Sequence, residues 1–184
     1  MGFKIYEVFD DLCSYLETKK DYIDLLSGSG GSSDSKRKQK PVHAETWFQV
    51  EAMKVMSEKK VEFATEVSYP KPFTDNRYHY GDFQIEEDNG QRSIVELKVT
   101  LLSKENHSVI QKRVLEDFRR LSGVVDTNYL KWSWVIAFPQ FRPERWGEEW
   151  QKVKQEWPNV VLDRSRHFET DKNATCGFLL FRVT

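Results

Sequence analysis

Asp82, Glu96 and Lys98 are charged residues inside a stretch that is otherwise typical of β-structure, YGDFQIEEDNGQRSIVELKV, from Tyr80 to Val99. Carboxylate oxygens are the ligands that Mg²⁺ and Mn²⁺ prefer, and a lysine ammonium can contact a phosphate or the water that attacks it. Charge inside a half-buried strand is unfavourable unless it is paired or binds a ligand. These three residues are therefore the first candidates for a functional site.

The loop between the two predicted strands decides whether these side chains meet. A three-residue loop, Asp88-Asn89-Gly90, with Gly90 in the left-handed conformation, places Asp82 directly across from Glu96. A two-residue loop would put the two carboxylates on opposite faces of the sheet. In the three-residue register their β-carbons are roughly 5 Å apart, and Lys98 points into the same space. Carboxylates so close repel unless a cation lies between them, and hard oxygen ligands at this spacing favour Mg²⁺ or Mn²⁺.

A predicted helix that begins at Val42 supplies a third carboxylate. At about 100° per residue, Glu45 and Gln49 project to the same side as Phe48 and Ala52, near the middle of the apolar face. A carboxylate on the core-facing side of a helix is costly unless it is paired or binds a metal. Glu45 is therefore predicted to be a third acidic ligand.

The order of predicted elements places these residues in one α/β domain. Residues 1–26 have helical spacing and form an N-terminal helical appendage, and residues 27–41 are a flexible loop rich in Gly, Ser and Lys. From 42 to 184 the order is helix, three strands, helix and strand, followed by another helix and two strands. The αβββαβ order predicts a central mixed sheet of four or more strands flanked by helices.

Composition excludes several other classes of protein. Hydrophobic residues make up 39% of the chain and aromatic residues 14%, enough for a sizeable core. The 28 Lys and Arg balance 29 Asp and Glu, which argues against a polybasic nucleic-acid binder but permits a local basic groove. The absence of a long apolar run and the presence of only two cysteines indicate a reduced cytoplasmic protein without a membrane partner.

The pattern resembles the PD-(D/E)XK nuclease superfamily, which has a restriction endonuclease-like core. The resemblance covers the element order from Val42 to Phe138, together with the Gly81-Asp82 pair and the E-x-K element Glu96-Leu97-Lys98. A GD pair stands here where the family has Pro-Asp. The resemblance implies a metal-dependent endo- or exonuclease that hydrolyses phosphodiester bonds, with DNA preferred over RNA as the partner.

The resemblance also implies a role for each residue of the site. Asp82 and Glu96 bind Mg²⁺ or Mn²⁺ with help from the Leu97 carbonyl, and Glu45 matches the glutamate that many members carry on the first helix. Lys98 orients or activates water and stabilises the pentavalent phosphate. Polar auxiliary positions fall at the remaining matched residues, Gln49 on the first helix and Gln111 and Lys112 on the second.

Other interpretations compete with an active enzyme. The same fold can serve as a non-catalytic module that binds nucleic acid or protein, and a homodimer is compatible with either function. Glu96 and Lys98 can also form a salt-bridge ladder on a solvated sheet face, although that leaves Glu45 unexplained. His79 precedes the strand of Asp82 and is either a substrate contact or an ordinary loop histidine. Basic residues on the second helix are candidates for contacts to the phosphate backbone: Lys112, Arg113, Arg119 and Arg120.

Overall fold

The computed structural model of the chain describes residues 4–26, 44–69, 79–101, 107–138, 141–171 and 174–184. The helices in these ranges are α1 (Lys4–Glu17), α2 (Lys20–Leu26), α3 (Ala44–Glu58), α4 (His107–Ser122) and α5 (Pro143–Glu156). The strands are β1 (Phe63–Ser68), β2 (Tyr80–Glu86), β3 (Arg92–Leu101), β4 (Tyr129–Phe138), β5 (Val160–Glu169) and β6 (Thr175–Val183). The predicted order of helix, three strands, helix and strand is present from α3 to β4. The predicted loop 27–41 lies outside the described residues.

The strands form one mixed sheet in the order β1-β2-β3-β4-β6-β5. β3 and β4 are parallel and joined through α4, while the other neighbouring pairs are antiparallel. A parallel pair needs a crossover connection, and α4 supplies it. The fold is therefore α/β, and β3, which carries Glu96 and Lys98, is paired on both sides in the interior of the sheet.

Two apolar cores cover the two faces of the sheet. Val95 and Leu97 belong to the first core, which lies beneath α1 and α3. Ile94 belongs to the second core, which lies beneath α4 and α5. This is the alternation expected along a strand. The buried face of α1 is part of the first core through Ile5, Val8, Phe9, Leu12, Cys13 and Leu16. None of the helices in the described ranges is long and apolar enough to cross a membrane.

A buried polar network attaches the start of α1 to the β2–β3 hairpin. The backbone N–H of Lys4 donates to Glu87 Oε2 at 2.5 Å, and the Ser93 hydroxyl donates to the other oxygen of the same carboxylate. The indole N–H of Trp132 donates to Ser93 Oγ at 3.0 Å. Glu87 is buried, and its carboxylate is stabilised by two donors, one of which is itself held by Trp132.

The hairpin has the predicted three-residue loop. The N–H of Glu87 donates to the carbonyl of Gln91 at 2.9 Å, and Gly90 has φ 78°, the left-handed conformation that favours glycine. Phe83 pairs with Val95 as the last pair of the antiparallel ladder, and one further step in the same register would set Asp82 opposite Glu96. The predicted register is confirmed for the paired residues, and the strands separate beyond them.

The side chains at the sheet edge formed by β1 and β2 change from one face of the sheet to the other beside Asp82. Thr65 pairs with Phe83 and Val67 with Gly81, which places Glu66 opposite Asp82. Glu66 has φ 49°, a conformation that an L-residue with a side chain rarely adopts. An uncommon backbone conformation therefore lies directly beside the candidate site.

The side chains before and after Glu66 pack on different faces of the sheet. Phe63 packs against the first core, whereas Tyr69 belongs to the second, although strict alternation would place both on one face. Gly81 also departs from strict alternation. A Cβ built there would lie 2.8 Å from Ile94 Cγ2 and 3.1 Å from Tyr69 Cε1, both in the second core. Glycine is required at position 81 because Tyr69 and Ile94 occupy the space of a side chain.

Gly81→Ala is expected to destabilise the protein by about 1–3 kcal/mol, because the added methyl overlaps Ile94 and Tyr69. Urea unfolding monitored by tryptophan fluorescence measures the change. Gly147→Ala is the matched control: Gly147 lies in α5 with nothing within 4 Å of the added Cβ. There the free energy of unfolding should rise by up to about 1 kcal/mol, since alanine is the better helix former. Equal effects of the two substitutions would contradict the close packing at Gly81.

Candidate functional site

Four elements bring charged side chains together where β2 and β3 separate. Glu45 comes from α3, which covers one face of the sheet, and Asp117 and Arg120 come from α4, which covers the other. Asp82 lies on β2, and Glu96 and Lys98 lie on β3. The cluster, called the acidic site below, consists of Glu45, Asp82, Glu96, Lys98, Asp117 and Arg120.

Asp82 occupies the gap between the two strands. Its Oδ2 accepts a hydrogen bond from the backbone N–H of Leu97 at 2.6 Å, and its Oδ1 accepts one from Gln49 Nε2 at 2.8 Å. In a regular antiparallel ladder the N–H of Leu97 would meet the carbonyl of Gly81. The Asp82 carboxylate takes the place of that carbonyl, so the site begins where the ladder ends.

Burial and neighbouring charges act on Asp82 in opposite directions. Burial raises the pKa of its carboxyl above the ordinary value, and the hydrogen bond from Leu97 opposes that rise. The negative charge of Glu45 raises this pKa further, while the ammonium of Lys98 lowers it. Asp82 is therefore held in an environment where negative charge is incompletely compensated.

Glu96 is bound toward the α4 side of the sheet. Its carboxylate accepts a hydrogen bond from the Tyr69 hydroxyl, and Arg120 Nη2 lies 3.9 Å from Glu96 Oε2. Only 4% of Glu96 is exposed, and burial raises the pKa of its carboxyl to about 7 against the opposing effects of Tyr69 and Arg120. The nearby charges of Asp82 and Asp117 add to the rise.

Lys98 stands between carboxylates that arrive from opposite faces of the sheet. Its Nζ lies 3.6 Å from Glu45 Oε2 and 3.9 Å from Asp117 Oδ2. The Glu45 carboxylate also accepts a hydrogen bond of 3.4 Å from the N–H of Val99. The Lys98 side chain is 19% exposed, so its ammonium is enclosed by the site and still open to solvent.

The structure brings the four principal predicted residues together: Glu45, Asp82, Glu96 and Lys98. Gln49 joins them through its amide, and Leu97 joins them through its N–H. His79 lies at the border, where its carbonyl accepts the N–H of Tyr69 at 2.8 Å and its ring centroid is 6.2 Å from that of Tyr69. The backbones of Gln111 and Lys112 are in α4, but their side chains are outside the described part of the structure.

The sequence does not predict a place in the site for Asp117 and Arg120, or for Tyr69, which binds Glu96 from outside the acidic site. Asp117 had a detectable signal, because it lies between Val114 and Leu121 at helical spacing, on the buried side of α4. The same argument identified Glu45. Arg120, predicted with the other basic residues of the helix to face a phosphate backbone, instead pairs with Asp117 and lies near Glu96.

The excess negative charge of the acidic site suits a divalent cation. Among the described residues, four carboxyl groups face one ammonium and one guanidinium, so the site has two negative charges in excess when all four are ionised. Asp117 Oδ2 is buried and has no hydrogen-bond partner in the described part of the chain, and the pKa values of Asp82, Glu96 and Asp117 are all raised, mainly by burial. Within the described residues, no three His, Cys, Asp or Glu side chains are arranged as a metal-binding group. The charge of the residues fits such an ion. Hydrogen-bond donors of the protein, however, already bind the carboxylates of Asp82 and Glu96.

Comparisons with known proteins do not assign a family. The chain matches no protein-family model, no curated protein and no solved structure at a significant level. Its function is therefore inferred from the residues of the acidic site and from their geometry.

The raised pKa of Glu96 predicts a pH-dependent effect of Glu96→Gln. The folded-state pKa of about 7 exceeds the ordinary value of 4.5, so the folded protein favours the neutral carboxyl. The stability linked to this proton is present below the unfolded value and is lost as pH rises through 7. A neutral amide avoids that loss. Relative to wild type, Glu96→Gln should gain about 1–3 kcal/mol more at pH 8 than at pH 5.

Urea unfolding of both proteins at the two pH values measures this difference. Glu58→Gln, an exposed glutamate at the end of α3, is the matched control and should show little pH dependence. A Glu96→Gln effect that is the same at both pH values would show that the buried carboxyl is ionised throughout this range.

Proposed function

We propose that the protein is a metal-dependent nuclease of the PD-(D/E)XK type that hydrolyses phosphodiester bonds in DNA, in the cytoplasm. The observation that carries the proposal is the meeting of Glu45, Asp82, Glu96 and Lys98 at the point where β2 leaves β3. The helix-strand order from α3 to β4 and the confirmed register support it. Each feature comes from a different part of the sequence, so their agreement carries more weight than the short motif alone.

Mg²⁺ or Mn²⁺ would be held by Asp82 and Glu96, with Glu45 and the Leu97 carbonyl as further ligands. When bound, such an ion polarises a phosphoryl oxygen and lowers the pKa of a water molecule. The N–H and the carbonyl of one strand residue point in the same direction in an antiparallel ladder. Because the N–H of Leu97 points to Asp82, its carbonyl faces the same gap between the strands.

Lys98 is placed to act on the substrate. Its ammonium lies between Glu45 and Asp117 and remains partly open to solvent. A fixed positive charge at this position stabilises the negative charge that develops on a phosphate during hydrolysis, and it can orient the attacking water. Gln49 holds Asp82 by a hydrogen bond and so fixes one ligand of the site.

Exposed basic residues on α4 fit a polyanionic substrate. Arg113 and Arg119 are exposed on α4, the helix that also carries Asp117 and Arg120. Contacts from exposed arginines to phosphates provide affinity and register without reading the sequence of the bases. His79, whose ring lies 6.2 Å from that of Tyr69, is a further candidate for a substrate contact.

A non-catalytic binding module is the second candidate function. The observation that favours it is that protein donors already occupy the principal carboxylates: Gln49 and Leu97 bind Asp82, and Tyr69 binds Glu96. A site satisfied in this way can be retained for structure alone. The two functions differ in their requirement for a metal ion, which the following experiments test.

Purified protein is expected to cleave DNA when Mg²⁺ or Mn²⁺ is added, and Asp82→Asn and Lys98→Gln should each lower the rate at least about 100-fold. Plasmid and single-stranded DNA, with RNA in parallel, are incubated with each ion and analysed on gels. Glu58→Gln and Lys59→Gln, exposed residues at the end of α3, serve as charge-matched controls and should cleave like wild type. Wild-type rates in the Asp82 and Lys98 variants would rule out this site as the source of the activity.

Mn²⁺ is also expected to stabilise the folded protein, because it compensates carboxylates that the unfolded chain does not bring together. At a concentration of 100 times the Kd the gain is about 2.7 kcal/mol. Differential scanning fluorimetry across a Mn²⁺ titration should show a rising Tm for wild type and a much smaller rise for Asp82→Asn. A Tm that stays constant up to millimolar Mn²⁺ in both proteins would favour the binding module.

A further inference from the structure

We infer that Asp117 is a positioning residue of the acidic site: it holds the Lys98 ammonium on one side and, through Arg120, the Glu96 carboxylate on the other. Asp117 belongs neither to the E-x-K element nor to α3, and the proposed function gives it no role. Its hold on Lys98 follows from the contacts described here, whereas its effect on catalysis rests on the proposed function.

Asp117 is a charged residue on the apolar side of α4. Only 1% of it is exposed, and the residues beside it on the helix face, Val114, Phe118 and Leu121, are buried in the second core. Its Oδ1 pairs with the guanidinium of Arg120. Its Oδ2 has no hydrogen-bond partner among the described residues and lies 3.9 Å from Lys98 Nζ, so this oxygen is directed into the site.

The contacts of Asp117 place it at the centre of a row of alternating charges. Glu45 contacts Lys98, Lys98 lies near Asp117, and Asp117 pairs with Arg120. Arg120 then lies 3.9 Å from Glu96. The row crosses β3 from the α3 side to the α4 side, and Asp117 is the member that adjoins both cations.

The burial of Asp117 has no evident structural benefit. A buried ion pair is costly to desolvate, and an apolar residue of similar size is often as stable or more stable at such a position. A lysine side chain is long and flexible, so it needs more than one partner to hold its ammonium in one place. With Glu45 on one side and Asp117 on the other, Lys98 is restrained from both faces of the sheet.

The first test measures this restraint without any assay of activity. Wild type, Asp117→Asn, Arg120→Gln and the control Glu116→Gln are treated briefly with acetic anhydride, and acetylation of Lys98 is measured by peptide mass spectrometry. Lys59, exposed and paired with Asp11, is the internal reference. Asp117→Asn should accelerate acetylation of Lys98 at least about fivefold, because one unit charge at ~4 Å has roughly that effect even in bulk water.

Arg120→Gln should have the opposite effect. It leaves Asp117 with Lys98 as its remaining ionic partner, so acetylation of Lys98 should slow. Glu116 is exposed on the same helix, and Glu116→Gln should leave the rate unchanged. A merely structural role predicts something different, because loosening α4 by either substitution would accelerate acetylation in both variants. An unchanged rate in Asp117→Asn, or acceleration in both variants, overturns the inference.

The second test measures the consequence for catalysis. In the nuclease assay Asp117→Asn should lower kcat about 10- to 100-fold, the loss expected from a displaced catalytic group, while KM changes little because Asp117 is buried. Unchanged kcat in a DNA-cleaving protein would overturn the positioning role. If wild type cleaves no DNA with either ion, the proposed function fails and the acetylation rates alone decide the role of Asp117. If Asp117→Asn does not fold, the direction of change in Arg120→Gln decides it.

Discussion

The hydrogen bond between the Leu97 N–H and the Asp82 carboxylate is the contact on which the site depends. It replaces a bond of the β2–β3 ladder by a bond from a side chain, so the strands can separate without leaving a buried N–H unsatisfied. The separation opens the gap that the Leu97 carbonyl, Glu45 and Lys98 face. Gln49 fixes the other oxygen of Asp82 and thereby links the gap to α3.

This arrangement is maintained by the two cores rather than by the charges themselves. Asp82, Glu96 and Asp117 have raised pKa values because burial disfavours their ionised forms, and Glu66 holds an uncommon backbone conformation beside the site. Both features cost free energy. The protein tolerates that cost because large apolar side chains on both faces of the sheet are fully buried, among them Phe48 of α3 and Phe118 of α4.

Local patterns in the sequence were sufficient to predict the register and most of the site. Gly90 indicated a three-residue loop, and the loop alone sets Asp82 across from Glu96. Helical periodicity located Glu45 and would equally have located Asp117. Tyr69 could not be predicted in this way, because strand alternation places it on the wrong face. Its actual position depends on the backbone turn at Glu66, which is a property of the folded sheet edge and has no local signal.

The charge balance of the site separates the remaining interpretations. A salt-bridge ladder formed for stability should contain equal numbers of opposite charges, since an unpaired buried charge is more costly than an apolar residue. Among the described residues, four carboxyl groups share two cationic side chains, and an oxygen of the most buried of them, Asp117, has no hydrogen-bond partner. When all four are ionised, the two excess negative charges match one divalent ion. The excess charge that burial makes unfavourable in the isolated protein is therefore the property that would make the site bind Mg²⁺ or Mn²⁺.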